Sequence, residues 1–487
     1  MSITMLSVEL VTIVCSYLDR SEWAALRLTC SWLYSASLDA FASQYFESIR
    51  FIATGNGIRE LEALSLSEII RGRVREIWMI PSVFQGHHDM DLFRFRMSPF
   101  ANSPKSGESL GDKELRARYG KYRAMVADNR TFLESEDLGT RLRKCLARFD
   151  NLESVGLKPY PTTFLVDPQQ HEVSCLGVRH LKDQLEFTFQ PIHSSHSSIM
   201  SSASAKANSL AVSKLFQALG GCNQKLKRLH TCGLEFCDSI LSELPVSQAE
   251  VDCLLLTLVD LEDLHICVSY DELTPKKNAT SMNAIGLLLA VAPSLKALAF
   301  SQLDRDQATM KYNYFLDVAQ SIKFTQLKSL HLHWIEIQLP SLKSFLHTAK
   351  ATLKTLTLDF VSMNDDPLPK RDRKSRRHKL ATVEVLWQRV WRYLGDELSL
   401  KTYSMGNLAH RELRVFMREY AEGAQETAFA HFDKKELGIS FHEWIGRFEA
   451  VVIPTSYVLN DTSRWSRQGE FSIKVISARL CHLIKLL

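Results

Sequence analysis

A chain of 487 residues exceeds what one ordinary hydrophobic core supports, which predicts about two to four domains or one elongated repeat array. Apolar residues at 45% and charged residues at 23% are globular proportions, so a chain disordered throughout is excluded. The 59 basic and 55 acidic residues leave a net charge of only +4, which makes neither nucleic acid nor an anionic membrane an expected partner.

The cysteines are scattered, with no Cys-x-x-Cys pair and no Cys/His spacing of a zinc site. That pattern suits a reducing compartment and predicts a cytoplasmic or nuclear protein. The apolar N-terminal run has no preceding Lys or Arg and contains Glu9, unlike an export signal. No uninterrupted apolar stretch reaches about 18 residues, so no membrane span is expected.

The first fifty residues predict three short helices. Leu10, Ile13, Val14, Tyr17 and Leu18 form the stripe of an amphipathic helix. Asp19 and Ser21 supply stop and cap chemistry before a second stripe of Trp23, Leu26 and Cys30. A third run, residues 31–51, carries Leu38, Phe41, Tyr45 and Ile49 at similar spacing. A unit this small buries too little surface to be comfortably stable alone and must lean on the chain or on a partner.

Leu6-Ser7-Val8-Glu9-Leu10, Ile13, Tyr17-Leu18, Ser21-Glu22-Trp23 and then "LRLTCSWLY" together resemble the F-box. That family's pattern runs Leu-Pro-x-Glu-Leu, Ile, Tyr/Phe-Leu, an acidic-Leu step and a Trp/Phe ending. Three positions depart from it: Ser7 stands for the usual Pro, Trp23 for Leu, and Ser31 for a basic residue. Without the proline the loop before the first helix is expected to be less pre-set. The resemblance implies docking on a Skp-type adaptor of a cullin ligase through Leu6, Leu10, Val14, Leu18, Trp23 and Trp32.

Next comes "REIWMI", read as an early strand, and then a recurrence. The wording Leu-x-x-Leu-x-Leu, with other apolar residues allowed, starts at Leu152, Leu226, Leu261, Leu295, Leu327, Leu353 and Leu400. Its last two apolar positions lie two apart, which is strand spacing, and apolar helical stretches such as 284–292, 314–322 and 383–394 fall between copies. Strand plus helix at this period resembles an irregular leucine-rich-repeat array. The expected fold is therefore α/β: an N-terminal three-helix F-box over 1–50, a linker and first irregular repeats over 51–150, an array over 151–410 forming a curved parallel sheet with outer helices, and a C-terminal cap over 411–487. Over nearly the whole chain this is similar to fungal F-box proteins with degenerate leucine-rich repeats.

In such a ladder the residues between the last two apolar positions form a row on the concave face: Gly156, His230, His265, Ala299, His331, Thr357 and Ser404, with His333 two beyond His331. A mixed polar substrate surface using His230, His265, His331 and His333 is expected. A metal site is not, because Ala299 interrupts the row and no Cys is near. The Ser-rich stretch 193–209 reads as a disordered excursion, and the basic stretch 369–379 as a solvated loop or an import signal. Residues 433–444 imitate a calcium loop, but Lys435, Leu437 and Trp444 stand where oxygen ligands belong.

No phosphate cradle, nucleophile elbow or zincin motif occurs in the sequence, so neither a catalytic residue nor a cofactor is expected. The resemblance implies a non-catalytic substrate receptor of an SCF-type ubiquitin ligase holding a protein substrate. The alternative is a leucine-rich-repeat scaffold that no longer recruits the ligase.

Overall fold

A computed structural model describes residues 6–81, 91–97, 111–158, 175–185, 202–222, 224–231, 248–269, 284–303, 314–363, 376–410, 413–419 and 427–454. It is a mixed α/β protein with mostly parallel strand pairing, and its contacts divide it into two units, Met1–Ser294 and Leu295–Leu487. Among the described residues no helix is long and apolar enough to cross a membrane.

The first unit opens with the three expected helices: α1 (Val8–Ser16), α2 (Arg20–Thr29) and α3 (Ser31–Tyr45). Asp19 rather than Ser21 caps α2. Its carboxylate accepts from the Glu22 amide at 2.8 Å while the Glu22 carboxylate accepts from the Asp19 amide at 3.0 Å, a reciprocal capping box. The third run is shorter than the sequence predicts. The helix stops at Tyr45, and Ser48–Ile52 forms strand β1, which buries Ile49 and Phe51 on one face against its parallel neighbour. Ile49 fits the helical spacing of Leu38, Phe41 and Tyr45, but the alternation of Ile49 and Phe51 is that of a strand, and sheet pairing takes the segment. The helical trio leans on the chain, as its size requires: α3 packs on the helix Glu68–Arg71, and the Arg73 guanidinium donates to Asp39 at 2.9 Å.

Strand β1 is followed by β2 (Glu76–Ile80), β3 (Ser154–Leu157), β4 (Cys175–Leu176), β5 (Arg228–His230) and β6 (Asp263–Ser269). All pair in parallel in the order β4-β1-β2-β3-β5-β6. The placement of β4 outside β1 departs from a simple repeat order.

The second unit holds β7 (Ala297–Leu303), β8 (Ser329–Ile337), β9 (Thr355–Met363) and β10 (Thr402–Gly406), again parallel in order. It ends in antiparallel pairings. The short β11 (Ala409–His410) and then β12 (Leu413–Glu419) lead on from β10; β13 (Phe429–Asp433) returns against β10, and β14 (Phe448–Pro454) against β12. A helix from Arg376 to Glu397 covers this end with Trp387 and Trp391 fully buried.

The repeated wording has a repeated structural job. Its first leucine, from Leu152 to Leu400, is at most 3% exposed in every copy, a burial worth about 1.5–3 kcal/mol per side chain. The residue after it bonds to the residue at the same position one copy back: the Lys227 amide donates to the Glu153 carbonyl at 2.8 Å, Lys354 to Lys328 at 2.7 Å and Lys401 to Lys354 at 2.8 Å. Each copy thus satisfies backbone groups that the previous copy leaves open.

In the second unit the apolar alternation slips by one residue in three adjacent strands. Leu330 and Leu332 are followed by Ile335 and Ile337, Leu356 and Leu358 by Val361 and Met363, and Met405 by Leu408. At each slip stands a residue in the left-handed region: Trp334 (φ 50°), Phe360 (φ 51°) and Asn407 (φ 50°). One left-handed residue per strand reverses which face the following side chains meet, so the buried set continues beyond it.

Of the Ser-rich stretch, residues 193–201 lie outside the described residues, and from Ser202 the chain is helical to Leu219 rather than a disordered excursion. Of the basic stretch, 369–375 lie outside the described residues and Arg376 begins a helix. Asp433, first residue of the imitated calcium loop, caps the short helix Lys434–Leu437 by accepting from the Lys435 amide at 2.7 Å.

Candidate functional sites

Helix α1 presents its apolar stripe outward. Only Val11 and Cys15, four apart, turn into the three-helix core, whereas Val8, Leu10, Ile13, Val14 and Tyr17 are 42–84% exposed. An isolated amphipathic helix is expected to do the opposite, and an apolar helical face left in water is the mark of an interaction surface. Leu10 and Val14 from the expected docking set belong to it. Leu6, Leu18 and Trp32 are half-buried and pack against the three-helix core.

Trp23 does not belong to that surface. It is 1% exposed, with the rings of Phe41 and Tyr45 edge-on at 5.6 Å each, and it fills the centre of the three helices beside Val11, Cys15 and Leu33. A unit of this size needs one bulky side chain to close its core, and Trp23 is the one placed to do so. Ser7 stands at the N-cap position of α1 with φ −70°, within the range to which proline would fix it, and makes no side-chain cap bond. The Ser7 hydroxyl instead engages Glu9, holding that carboxyl below its ordinary value.

The second candidate site is the sheet face of the first unit opposite its buried leucine face. Register aligns Cys175, Arg50, Trp78, Gly156, His230 and His265 in one row, and Ser48, Glu76, Ser154, Arg228 and Asp263 in the next. Strands β2 and β5 are two ladder steps apart, roughly 9–10 Å, yet the rings of Trp78 and His230 approach to 5.2 Å. Gly156 between them makes this possible, since a Cβ there would stand 2.3 Å from the His230 carbonyl oxygen. The Lys158 ammonium lies over the Trp78 ring at 3.8 Å. Trp78 Nε1 donates to the Glu76 carboxylate at 2.9 Å, and Arg228 donates to Glu76 and to Ser154 Oγ at 2.7 Å each. Burial, which would raise the Glu76 carboxyl, is outweighed by these contacts and by Ser48, and the group stays ionised.

Burial, with the Arg50 charge beside it, pushes Lys158 down from its ordinary 10.5 to about 8, against the pull of Glu76. Above 10.5 the ammonium is lost in folded and unfolded chains alike and costs nothing. As pH falls toward 8 the unfolded chain takes a proton that the folded one resists, and below 8 the cost is complete. Lys158 therefore makes the stability of this unit rise between about pH 8 and about pH 10. Denaturant unfolding across that interval should show the rise in the natural chain and a flatter profile in Lys158→Met; equal profiles would contradict this.

His230 and His265 stack with ring centroids 3.5 Å apart and planes within 2°. Both address Asp263, His230 Nε2 to Oδ2 at 3.2 Å and His265 Nε2 to Oδ1 at 3.4 Å. Burial lowers His230 toward the neutral imidazole, with the Asp263 hydrogen bond opposing. For Asp263 the raising effect of burial is outweighed by both imidazoles, and its carboxyl is held well below the usual range. Asp263 was missed in the sequence because the expected row tracked only positions between the leucines, and Asp263 sits two residues before His265 on the same face.

His331 and His333 belong to the second unit, with rings 5.7 Å apart. His333 is 4% exposed and its Nε2 lies 3.4 Å from Asp359 Oδ2, so it is an interior group and not a surface contact as expected. What this unit exposes beside it is Trp334, 47% accessible and stacked on Phe360 at 4.1 Å and 7°. Both rings sit on left-handed backbone, a conformation that costs bulky residues about 1–2 kcal/mol each. The sequence did carry a sign of them, the slip in alternation that each one causes.

These observations define a mixed α/β protein with mostly parallel strands in each of two units and an N-terminal trio of helices that exposes apolar side chains. No known family's sequence profile matches the chain, and no curated protein matches it.

Proposed function

We propose that this chain is the substrate-recognition subunit of an SCF-type ubiquitin ligase, working in the cytoplasm or nucleus. The outward apolar face of α1, centred on Leu10 and Val14, docks the Skp-type adaptor, and the ladder holds a protein substrate. The observation that carries this reading is the inverted burial of α1, with only Val11 and Cys15 inward and five apolar side chains, Val8, Leu10, Ile13, Val14 and Tyr17, outward. A monomeric unit gains nothing from that arrangement, whereas a partner helix or groove does.

Each unit by itself offers contacts to a substrate: the first through the polar side chains Lys158, His230 and His265, the second through the exposed Trp334 stacked on Phe360. Rigid aromatic side chains lose little entropy on binding and are favoured anchors. The chain supplies no chemistry of its own. It raises the effective concentration of a substrate lysine near the conjugating machinery.

The full chain and a Leu10→Arg/Val14→Arg variant, expressed with the proteasome inhibited, should differ in what they capture. The natural sequence is expected to bring down adaptor, cullin and ubiquitin-modified proteins, and the variant only unmodified substrate. Capture of the same partners without adaptor by both would instead identify a scaffold.

A further inference from the structure

We infer that His230, Asp263 and His265 form a binding site for a zinc-class divalent cation on the face of the first unit. The three side chains come from two adjacent strands, their donor atoms all lie within 4.8 Å of one another, and two imidazoles plus one carboxylate is a ligand set that borderline cations take. This inference stands whether or not the chain recruits a ligase.

The donor spacing, which a hydrogen-bonded cluster shares, is short enough for one cation to bridge once the rings rotate. Bonds of about 2.0–2.1 Å at tetrahedral angles place neighbouring donors about 3.3 Å apart. His230 Nε2 stands 3.2 Å from Asp263 Oδ2 and His265 Nε2 3.4 Å from Oδ1, so each imidazole is at that spacing from one oxygen of the carboxylate. Asp263 Oδ1 is buried and, although it faces His265, has no hydrogen bond of acceptable geometry. A carboxylate oxygen left so is costly unless something else meets it, and a cation between the three groups does.

Register explains how the site is built. Asp263 and His265 lie two apart on β6 and so share a face, and His230 stands directly opposite His265 on β5. The stacked rings must splay, by rotation of the imidazoles, for both lone pairs to converge. The charges facing the site are accounted for in part: Arg228 is paired with Glu76, while Lys158 contributes repulsion. Side-chain exposures of 15–25% leave a fourth position open on the solvent side, where water or a donor group of a docked protein would complete the coordination. His230 lies 33 residues before Asp263 and 35 before His265, so no short Cys/His spacing announces the set.

The test uses the full chain, stripped with a chelator, desalted, and titrated with Zn²⁺ against a chromophoric competitor. The sixteen histidines and ten cysteines provide background sites, so the reading is the difference from variants. The natural chain should bind one equivalent more than Asp263→Asn, or bind that equivalent at least about tenfold more tightly. His265→Gln should behave like Asp263→Asn, and His333→Gln like the natural chain. If Asp263→Asn does not fold by circular dichroism, His230→Gln and His265→Gln decide. Substitution by Co²⁺ should add an absorption without a thiolate charge-transfer band. No binding to the natural chain, equal binding by natural chain and variants, or a thiolate band accounting for all the cobalt would overturn the inference.

Discussion

Trp23→Ala should unfold the N-terminal three-helix unit locally, at a cost of about 3–5 kcal/mol, while the ladder of the first unit keeps its structure. The side chain is 1% exposed and two aromatic rings meet it edge-on, so truncation removes both the transfer energy and the packing and leaves a cavity at the centre of three short helices. A unit of about fifty residues has few other buried groups over which to spread the loss. The neighbours that remain, Val11, Cys15, Leu33, Ala36 and Phe41, are mostly small. Arg27, whose guanidinium stacks over Phe41 at 4.1 Å, would lose the order of the ring beneath it. Limited trypsin digestion reads this directly: cleavage at Arg20 and Arg27 should be fast in Trp23→Ala and slow in the natural chain. Equal resistance would show that Trp23 is not the keystone of the unit.

The second large effect is on binding and leaves the fold intact. Leu10 and Val14 are 48% and 42% exposed, and neither belongs to the packed core of the helices. Replacing both with Arg should change stability by no more than about 0.5 kcal/mol each, the usual range for surface sites. For adaptor binding the expected loss is at least about a hundredfold. Central apolar anchors cost about 2 kcal/mol or more when lost, and each new charge must be desolvated or leave the interface open. The contrast between the two experiments separates inward from outward faces of one helical unit. Trp23→Ala should lose binding through unfolding, and Leu10→Arg/Val14→Arg should lose it while folded.

Much of the architecture was legible in the sequence because leucine-rich wording has a direct physical cause. A first leucine that fills the same buried place in every copy, and two apolar positions on one strand face, recur whenever the ladder adds a step, so strands β3 and β5 to β10 follow from the pattern. Strand β1 was hidden because Ile49 continues the helical stripe of Leu38, Phe41 and Tyr45, so the segment also reads as helix. Only pairing with β2 distinguishes the two. The periodic stripe of α1 was found, but periodicity does not say whether a stripe faces a core or a partner; the burial of Val11 and Cys15 decides that. Trp23 looked like a docking residue because it occupies a position the F-box pattern fills with an apolar side chain, and the sequence does not reveal how little else the unit has for its centre. The pair of His230 and His265 was found from the row, and Asp263 was not, because contacts across a ladder join residues that no local spacing connects. The left-handed Trp334 and Phe360 are the reverse case, visible as a slip in alternation once one knows to look for it.

The most direct test of the central claim is a titration of the purified full chain with purified Skp-type adaptor, followed by the heat of binding. A saturable one-to-one complex is expected with the natural chain, and no measurable complex with the folded Leu10→Arg/Val14→Arg variant. Absence of a complex with the natural chain, or equal affinity in both, would contradict that claim.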